Sequence, residues 1–117
     1  FVAECGVILA RVTQCKTKEK IRFIGIETGM NSLIRPMLYG AYHEIINLSR
    51  LGDEKTGFAH IVGPICESAD TLGYDRLLPE THEGDVLLIA NTGAYGHCMG
   101  SSYNMRPPAE EVMLDAC

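Results

Sequence analysis

The sequence lacks the features that mark several classes of protein. It has no run of basic residues and a formal net charge of −5, so nucleic acid and anionic membrane surfaces are poor partners. It has no apolar stretch near the ~20 residues that a membrane span needs, and no signal peptide opens it.

Metal and disulfide patterns are also absent. The five cysteines are odd in number and widely spaced, and no Cys-x-x-Cys occurs. This argues against a disulfide framework and a zinc site, and it favours a reducing cytoplasm. The four histidines show no metal-ligand spacing either. We therefore expect a cytoplasmic protein without a metal.

Short β-forming runs, separated by glycine, proline and asparagine, make up most of the chain. Residues 71–80 are expected to be irregular, because Pro79 argues against a central strand there. The chain begins inside a strand pattern at residues 1–4 without a methionine, which suggests a piece cut from a longer protein. Strands are expected at residues 5–14, 21–27, 43–48, 58–62, 86–90 and 110–115, and loops at residues 16–20, 51–57 and 99–108.

One short helix is expected to begin near Arg35, because Pro36 is tolerated only in a first helical turn. Six or so short strands with one short helix predict a mainly β fold, an antiparallel β-barrel or sandwich. The chain length fits one domain, residues 1–117, around a single core.

Residues 63–70, Gly-Pro-Ile-Cys-Glu-Ser-Ala-Asp, form the most chemically distinctive stretch. The negative charge of Glu67 disfavours a thiolate at Cys66, so we expect a protonated thiol. Such a thiol suits a general acid that gives a proton to carbon better than it suits a nucleophile. From these two residues alone, a buried structural cysteine beside a surface glutamate is the alternative.

Two further features have both a structural and a functional interpretation. Arg35 and Tyr39 are four residues apart and project from the same side of a helix. They are either a binding pair or a surface arginine packed over a tyrosine. Two glycines flank Tyr95 in residues 93–96, which suggests a backbone that closely approaches another group.

Several segments together resemble the diaminopimelate decarboxylase family. Residues 29–43 look like its Gly-Met-Asn-x-Leu-Ile-Arg-Pro-x-Leu-Tyr block, and residues 63–70 are similar to its Gly-Pro-x-Cys-Glu-Ser-x-Asp turn. The opening Glu-x-Gly of residues 4–6, the stretch 75–85 and the closing block 93–104 match in the same order. The resemblance spans nearly the whole chain, and its motifs are specific.

The resemblance implies the C-terminal β-domain of an alanine racemase-like, pyridoxal-phosphate-dependent decarboxylase that makes L-lysine from meso-diaminopimelate. The family's cofactor-binding lysine and phosphate cradle belong to an N-terminal α/β barrel that this chain does not contain. The implied enzyme is a homodimer with active sites at its interface. Residues 28–32, 47–51 and 108–111 look most like the subgroup fused to an aspartate kinase.

The resemblance also implies roles for five residues. Cys66 would protonate the substrate Cα after carbon dioxide leaves, acting from the partner subunit's side. Glu67 would bind the distal ammonium, and Arg35 would hold the distal carboxylate through a two-pronged hydrogen bond. Tyr39 would assist Arg35. Tyr95 would contact the cofactor phosphate or the nearby substrate.

Alternatives remain open. One is a non-catalytic, decarboxylase-like binding or regulatory protein, and another is a free-standing β-domain with a binding role. A third is a decarboxylase of another basic amino acid, but relatives that act on ornithine carry Asp where Glu67 stands and lack the block containing Arg35. The 117-residue chain by itself is expected to be inactive.

Overall fold

Six strands form one mixed sheet in a computed structural model that describes residues 2–115. The order across the sheet is β3-β6-β1-β2-β4-β5. The β2–β4 pair is parallel and the other neighbouring pairs are antiparallel. The strands are β1 (Ile8–Lys18), β2 (Ile21–Ile26), β3 (Ile45–Asn47), β4 (Lys55–Val62), β5 (Thr71–Pro79) and β6 (Val86–Ile89).

The two terminal strands of this order, β3 and β5, contact each other, so the sheet curls into a nearly closed barrel. Alternate side chains of the strands point inward, as in β4, where Ala59 and Ile61 are buried. The predicted mainly β fold, an antiparallel β-barrel or sandwich, is confirmed, and the structure shows it as a nearly closed barrel. Its core consists of Ala10, Val12, Ile24, Ile26, Leu33, Ile45, Ala59, Ile61, Leu72, Leu78, Leu87 and Ile89.

The helix α1 (Arg35–Tyr39) begins where the sequence predicted it. Pro36 lies in its first turn, where a missing amide proton costs no hydrogen bond. Gly40 ends the helix in the left-handed region at φ 64°, a conformation that suits glycine. Leu33, just before the helix, is buried in the core and fixes α1 against the barrel.

The prediction that residues 71–80 are irregular is wrong. They form β5, which pairs with β4 along most of its length. Pro79 is the last residue of β5, and β5 is the last strand in the order across the sheet. A proline at such a position removes little of the hydrogen bonding between strands. Proline therefore marked the end of an edge strand and not the absence of one.

The predicted strand at residues 110–115 is also wrong, since these residues have no regular structure and are exposed. Their apolar side chains, such as that of Met113 at 89% exposure, are not covered by another part of the described residues. A strand forms where its side chains can pack against neighbouring strands, and that packing is missing here. At the other end, residues 2–5 form a turn, and Phe1 lies outside the described residues.

The remaining strand boundaries shift by a few residues. β1 starts and ends later than predicted, β4 begins within the predicted loop at Lys55, and β3 is shorter. Three short 3-10 turns, Leu48–Arg50, His97–Met99 and Tyr103–Met105, complete the regular structure of the described residues.

Candidate active site

The cysteine turn, residues 63–70, connects β4 to β5. Its backbone closes on itself, because the Gly63 amide donates to the Asp70 carbonyl and the Asp70 amide donates to the Glu67 carbonyl. Cys66 and Glu67 are exposed at its tip, whereas Asp70 is 3% exposed. The turn thus presents a thiol and a carboxylate side by side to whatever binds there.

The buried Asp70 carboxylate fastens this turn to a distant part of the chain. Its Oδ2 accepts a 2.7 Å hydrogen bond from the Ile65 amide, and its Oδ1 accepts one of 2.7 Å from the Met30 amide. A Cβ on Gly29 or Gly63 would overlap the Asp70 side chain, so the close approach requires glycine at both positions.

Arg35 and Tyr39 lie on α1, which follows the segment held by Asp70. The half-buried Arg35 places its guanidinium carbon 5.8 Å from the centroid of the Tyr95 ring, a cation–π contact. Tyr39 is 64% exposed at the other end of the helix. Arg35 and Tyr95 form a second cluster, here called the arginine cluster.

The loop that carries Tyr95 packs against the start of the chain. The Thr92 amide donates to the Gly6 carbonyl, and the Gly93 amide donates to the Ala3 carbonyl. A Cβ on Gly93 would overlap the backbone of this N-terminal segment. The close backbone approach that the sequence predicted near Tyr95 therefore occurs at Gly93 and requires glycine there. Tyr95 itself has φ 60° and remains exposed, so the loop holds its phenol away from the core.

The structure brings Arg35 and Tyr95 together, but it does not join them to the cysteine turn. Within residues 2–115, no hydrogen bond or ion pair connects Cys66 or Glu67 to the arginine cluster. The side chain that reaches Glu67 is Tyr103, whose hydroxyl donates a 2.6 Å hydrogen bond to Glu67 Oε1.

Tyr103 and Asp70 had no predicted role, although both stand in segments quoted for the family resemblance. The signal that could have identified Asp70 is its place at the end of a turn rich in glycine and proline, where a carboxylate commonly accepts backbone hydrogen bonds. No sequence pattern signals the Tyr103–Glu67 bond, because it joins residues 36 positions apart.

The chemistry of the Tyr95 loop fits part of a phosphate site. An exposed phenol next to a guanidinium offers a hydrogen-bond donor near a positive charge, which a phosphate ester requires. One phenol is a small share of the ligands that such a group needs. The contact of Tyr95 with a phosphorylated cofactor therefore stays a prediction.

Other candidate sites are less suited to this chemistry. A cleft of about 450 Å³ lies between α1 and β5 and is lined by none of the five predicted site residues. Residues 2–115 include no cluster of three metal-ligating side chains. None of their helices has the length and apolar character for crossing a bilayer. Cys5, Cys15, Cys66 and Cys98 are free thiols, and Cys117 lies outside the described residues.

The fold and the turn match one protein family. Residues 2–93 fit the family model described as the C-terminal sheet domain of pyridoxal-dependent decarboxylases, and the chain belongs to that family. Proteins named diaminopimelate decarboxylase resemble it over nearly its whole length. The one from Aquifex aeolicus is 43% identical over 115 residues, which are 98% of this chain and 27% of that protein.

Two further comparisons agree. The diaminopimelate decarboxylase of Neisseria meningitidis serogroup B is 46% identical over 98% of this chain and 27% of its own length. A crystal structure of the Helicobacter pylori enzyme complexed with L-lysine superposes with a TM-score of 0.84 at 40% identity, covering 92% of this chain and 26% of that one. The chain thus spans about a quarter of the length of these relatives.

Proposed function

We propose that the protein containing this chain is a pyridoxal-phosphate-dependent decarboxylase that converts meso-diaminopimelate to L-lysine. The observation that carries this proposal is the cysteine turn, where a buried carboxylate fixes an exposed thiol and carboxylate side by side. The relatives that share 40–46% identity with nearly the whole chain are named diaminopimelate decarboxylase, which supports the substrate.

Cys66 is proposed as the proton donor and Glu67 as the ligand of the distal ammonium. Both side chains are exposed on one turn, so a substrate can reach both at once. A thiol in this position can deliver a proton to the substrate Cα after carbon dioxide has left. The carboxylate attracts the ammonium, which the substrate carries at its far end.

Arg35 is proposed to bind the distal carboxylate, with Tyr39 assisting it from the same helix. A guanidinium forms two parallel hydrogen bonds to a carboxylate, which suits an end group that carries both charges. The stacking of Arg35 on Tyr95 supports this role because it restricts where the guanidinium can point. Tyr95 is proposed to contact substrate or the cofactor phosphate with its exposed hydroxyl.

Pyridoxal phosphate, when bound, supplies the electron sink for loss of carbon dioxide. The lysine that binds it covalently is expected in the N-terminal barrel of the family. The residues of this chain therefore orient the substrate, neutralise its charged end and hold the proton destined for Cα.

We further propose a homodimer in which each active site combines two subunits. Within residues 2–115, no hydrogen bond or ion pair joins the cysteine turn to the arginine cluster, which is compatible with the cysteine turn of one subunit serving the site of its partner. A cytoplasmic location fits the free thiols among the described residues. Fusion to an aspartate kinase remains a prediction from the subgroup resemblance.

Substrate discrimination tests the proposal. Arg35→Lys keeps a positive charge but loses the planar fork, and Glu67→Gln keeps the shape but loses the negative charge. Lysine, the product, keeps both the distal ammonium and the distal carboxylate, because carbon dioxide leaves from the other end, whereas 1,5-diaminopentane carries the ammonium alone. We therefore expect Arg35→Lys to weaken binding of diaminopimelate and of lysine by about tenfold and to leave inhibition by 1,5-diaminopentane nearly unchanged, whereas Glu67→Gln weakens the binding of all three.

The experiment uses the whole protein with cofactor and follows carbon dioxide release and its inhibition by lysine and by 1,5-diaminopentane. The matched controls are Arg11→Lys, which alters an exposed arginine bonded to a backbone carbonyl, and Glu44→Gln, which alters a carboxylate also bonded to a tyrosine. If Arg35→Lys weakens 1,5-diaminopentane as much as diaminopimelate, the carboxylate role is disproved. Absence of carbon dioxide release from diaminopimelate would disprove the activity, and release from ornithine or lysine instead would identify another basic amino acid as substrate.

A further inference from the structure

Tyr103 lies on a loop that crosses the surface to reach the cysteine turn. Its hydroxyl donates to Glu67 Oε1 over 2.6 Å, so one carboxylate oxygen of Glu67 is held by the protein. A carboxylate has two oxygens with several acceptor positions, and Oε2 remains for a ligand. An exposed glutamate without such a bond samples many rotamers, each with a different position of the charge.

The loop of Tyr103 is fixed at both ends to the same part of the chain. The Ser101 amide donates a 2.8 Å hydrogen bond to the Asn31 carbonyl. Arg106 Nη1 donates a 3.1 Å hydrogen bond to the Glu27 carbonyl. Residues 27–31, here called the anchor segment, therefore determine where the Tyr103 loop lies.

The cysteine turn is attached to this same anchor segment. The Met30 amide donates to Asp70 Oδ1, while Asp70 Oδ2 accepts from Ile65 at the start of the turn. Two segments held by one short stretch have a fixed relative position. The Tyr103–Glu67 bond thus joins two elements that are already aligned and is not a chance contact between flexible side chains.

The electrostatics favour Tyr103 as a lasting donor. The hydrogen bond to Glu67 and the charge of its carboxylate raise the pKa of Tyr103, and the neighbouring Cys66 contributes in the same direction. The phenol therefore keeps its proton at neutral pH. Because the donor points at Oε1, the carboxylate is restrained without losing its negative charge.

We propose that Tyr103 is a positioning residue for Glu67, holding its carboxylate so that the free oxygen receives the distal ammonium of the substrate. This inference rests on the proposed function, since it deepens the role assigned to Glu67. Tyr103 acts through Glu67, so it determines how well the ammonium is bound and contributes less to the chemical step.

Tyr103→Phe in the whole protein tests the inference, because it removes one oxygen from a 44% exposed side chain and keeps the ring. We expect KM for diaminopimelate and the inhibition constant of lysine to rise about threefold to tenfold, with a smaller change in kcat. In the Glu67→Gln background the same change is expected to have little further effect, because the charged acceptor is already gone.

The matched control is Tyr42→Phe, which removes a 2.7 Å hydrogen bond from an exposed tyrosine to the half-buried Glu44. It is expected to leave both constants unchanged. Unchanged KM and lysine inhibition in Tyr103→Phe would overturn the positioning role, as would an undiminished effect in the Glu67→Gln background. A parent protein that releases no carbon dioxide from diaminopimelate would overturn the proposed function itself, and the two failures are therefore distinguishable.

Discussion

Replacing Asp70 by asparagine is the sharpest test of how the cysteine turn is built. The carboxylate is 3% exposed and accepts from the Met30 and Ile65 amides at 2.7 Å each. In Asp70→Asn, one oxygen becomes an NH2 group, so one of these two amides faces a donor and loses its acceptor. An unsatisfied buried donor costs about 1–3 kcal/mol, and the remaining bond weakens by about 1 kcal/mol when its acceptor is neutral.

The expected loss in local stability is therefore about 2–4 kcal/mol. Hydrogen exchange on the whole protein measures it, followed at the backbone amides of residues 27–34 and 63–70. Exchange should accelerate in both segments, although Met30 and Asp70 are 40 positions apart, because one side chain joins them. The kcat should fall as well, since Cys66 and Glu67 lose their fixed position.

The control is Asp53→Asn, which alters a 56% exposed side chain with a single 3.6 Å ion pair to Arg50. Such a surface pair contributes little, so exchange should change by less than about 1 kcal/mol. If Asp70→Asn leaves exchange in both segments at the parent rate, the carboxylate does not fasten the turn. Faster exchange in residues 63–70 alone would show that the link to Met30 is unimportant.

Three further predictions follow from the same surfaces. Cys66→Ala in the whole protein should lower kcat by about 10²–10⁴-fold with a smaller effect on KM, and wild-type turnover would contradict the proton-donor role. Burial raises the pKa of Asp85, but hydrogen bonds from Asn47, the His82 amide and Arg50 outweigh it and leave the pKa below its ordinary value of 3.8. The stabilisation by the ionised Asp85 is thus present above pH about 4 and is lost as the pH falls through the lower pKa of the folded state. Asp85→Asn should therefore lower the free energy of unfolding by about 1–3 kcal/mol at pH 7 and by little at low pH. Thermal unfolding across pH 3–7 measures this, and an equal loss of stability at every pH would refute it. The 117-residue chain alone, supplied with cofactor and diaminopimelate, should release carbon dioxide no faster than free cofactor does, because the lysine that binds the cofactor is expected in an N-terminal barrel outside these residues.

Local sequence patterns determined most of the strands and the single helix. Short runs of β-forming residues identified β2, β4 and β6, since the inward side chains of a barrel strand must be apolar. The start of α1 followed from Pro36, whose ring fits a first turn and no later one. These features depend on neighbours in the chain, so the sequence alone is enough to predict them.

Tertiary context decided the elements whose prediction failed. β5 contains Pro79 and still forms a strand, because its place at the end of the strand order removes the need for a donor there. Residues 110–115 have a strand-like composition but remain irregular, because no second surface covers their apolar side chains. Neither outcome follows from the residues in question, since each depends on what lies beside them.

The candidate site likewise has features that the sequence predicts and features that only the tertiary structure shows. The motifs identified Cys66, Glu67, Arg35, Tyr39 and Tyr95 as residue types with suitable chemistry at distinctive spacings.

The sequence could not show how those residues are held. Asp70 reaches Met30, and Tyr103 reaches Glu67, through contacts between residues 40 and 36 positions apart. Such contacts arise only when the barrel closes and brings the anchor segment, the cysteine turn and the Tyr103 loop to one place. The sequence by itself thus determined which groups can do the chemistry, and the tertiary structure decided which of them touch, because long-range hydrogen bonds depend on the packing of the whole sheet.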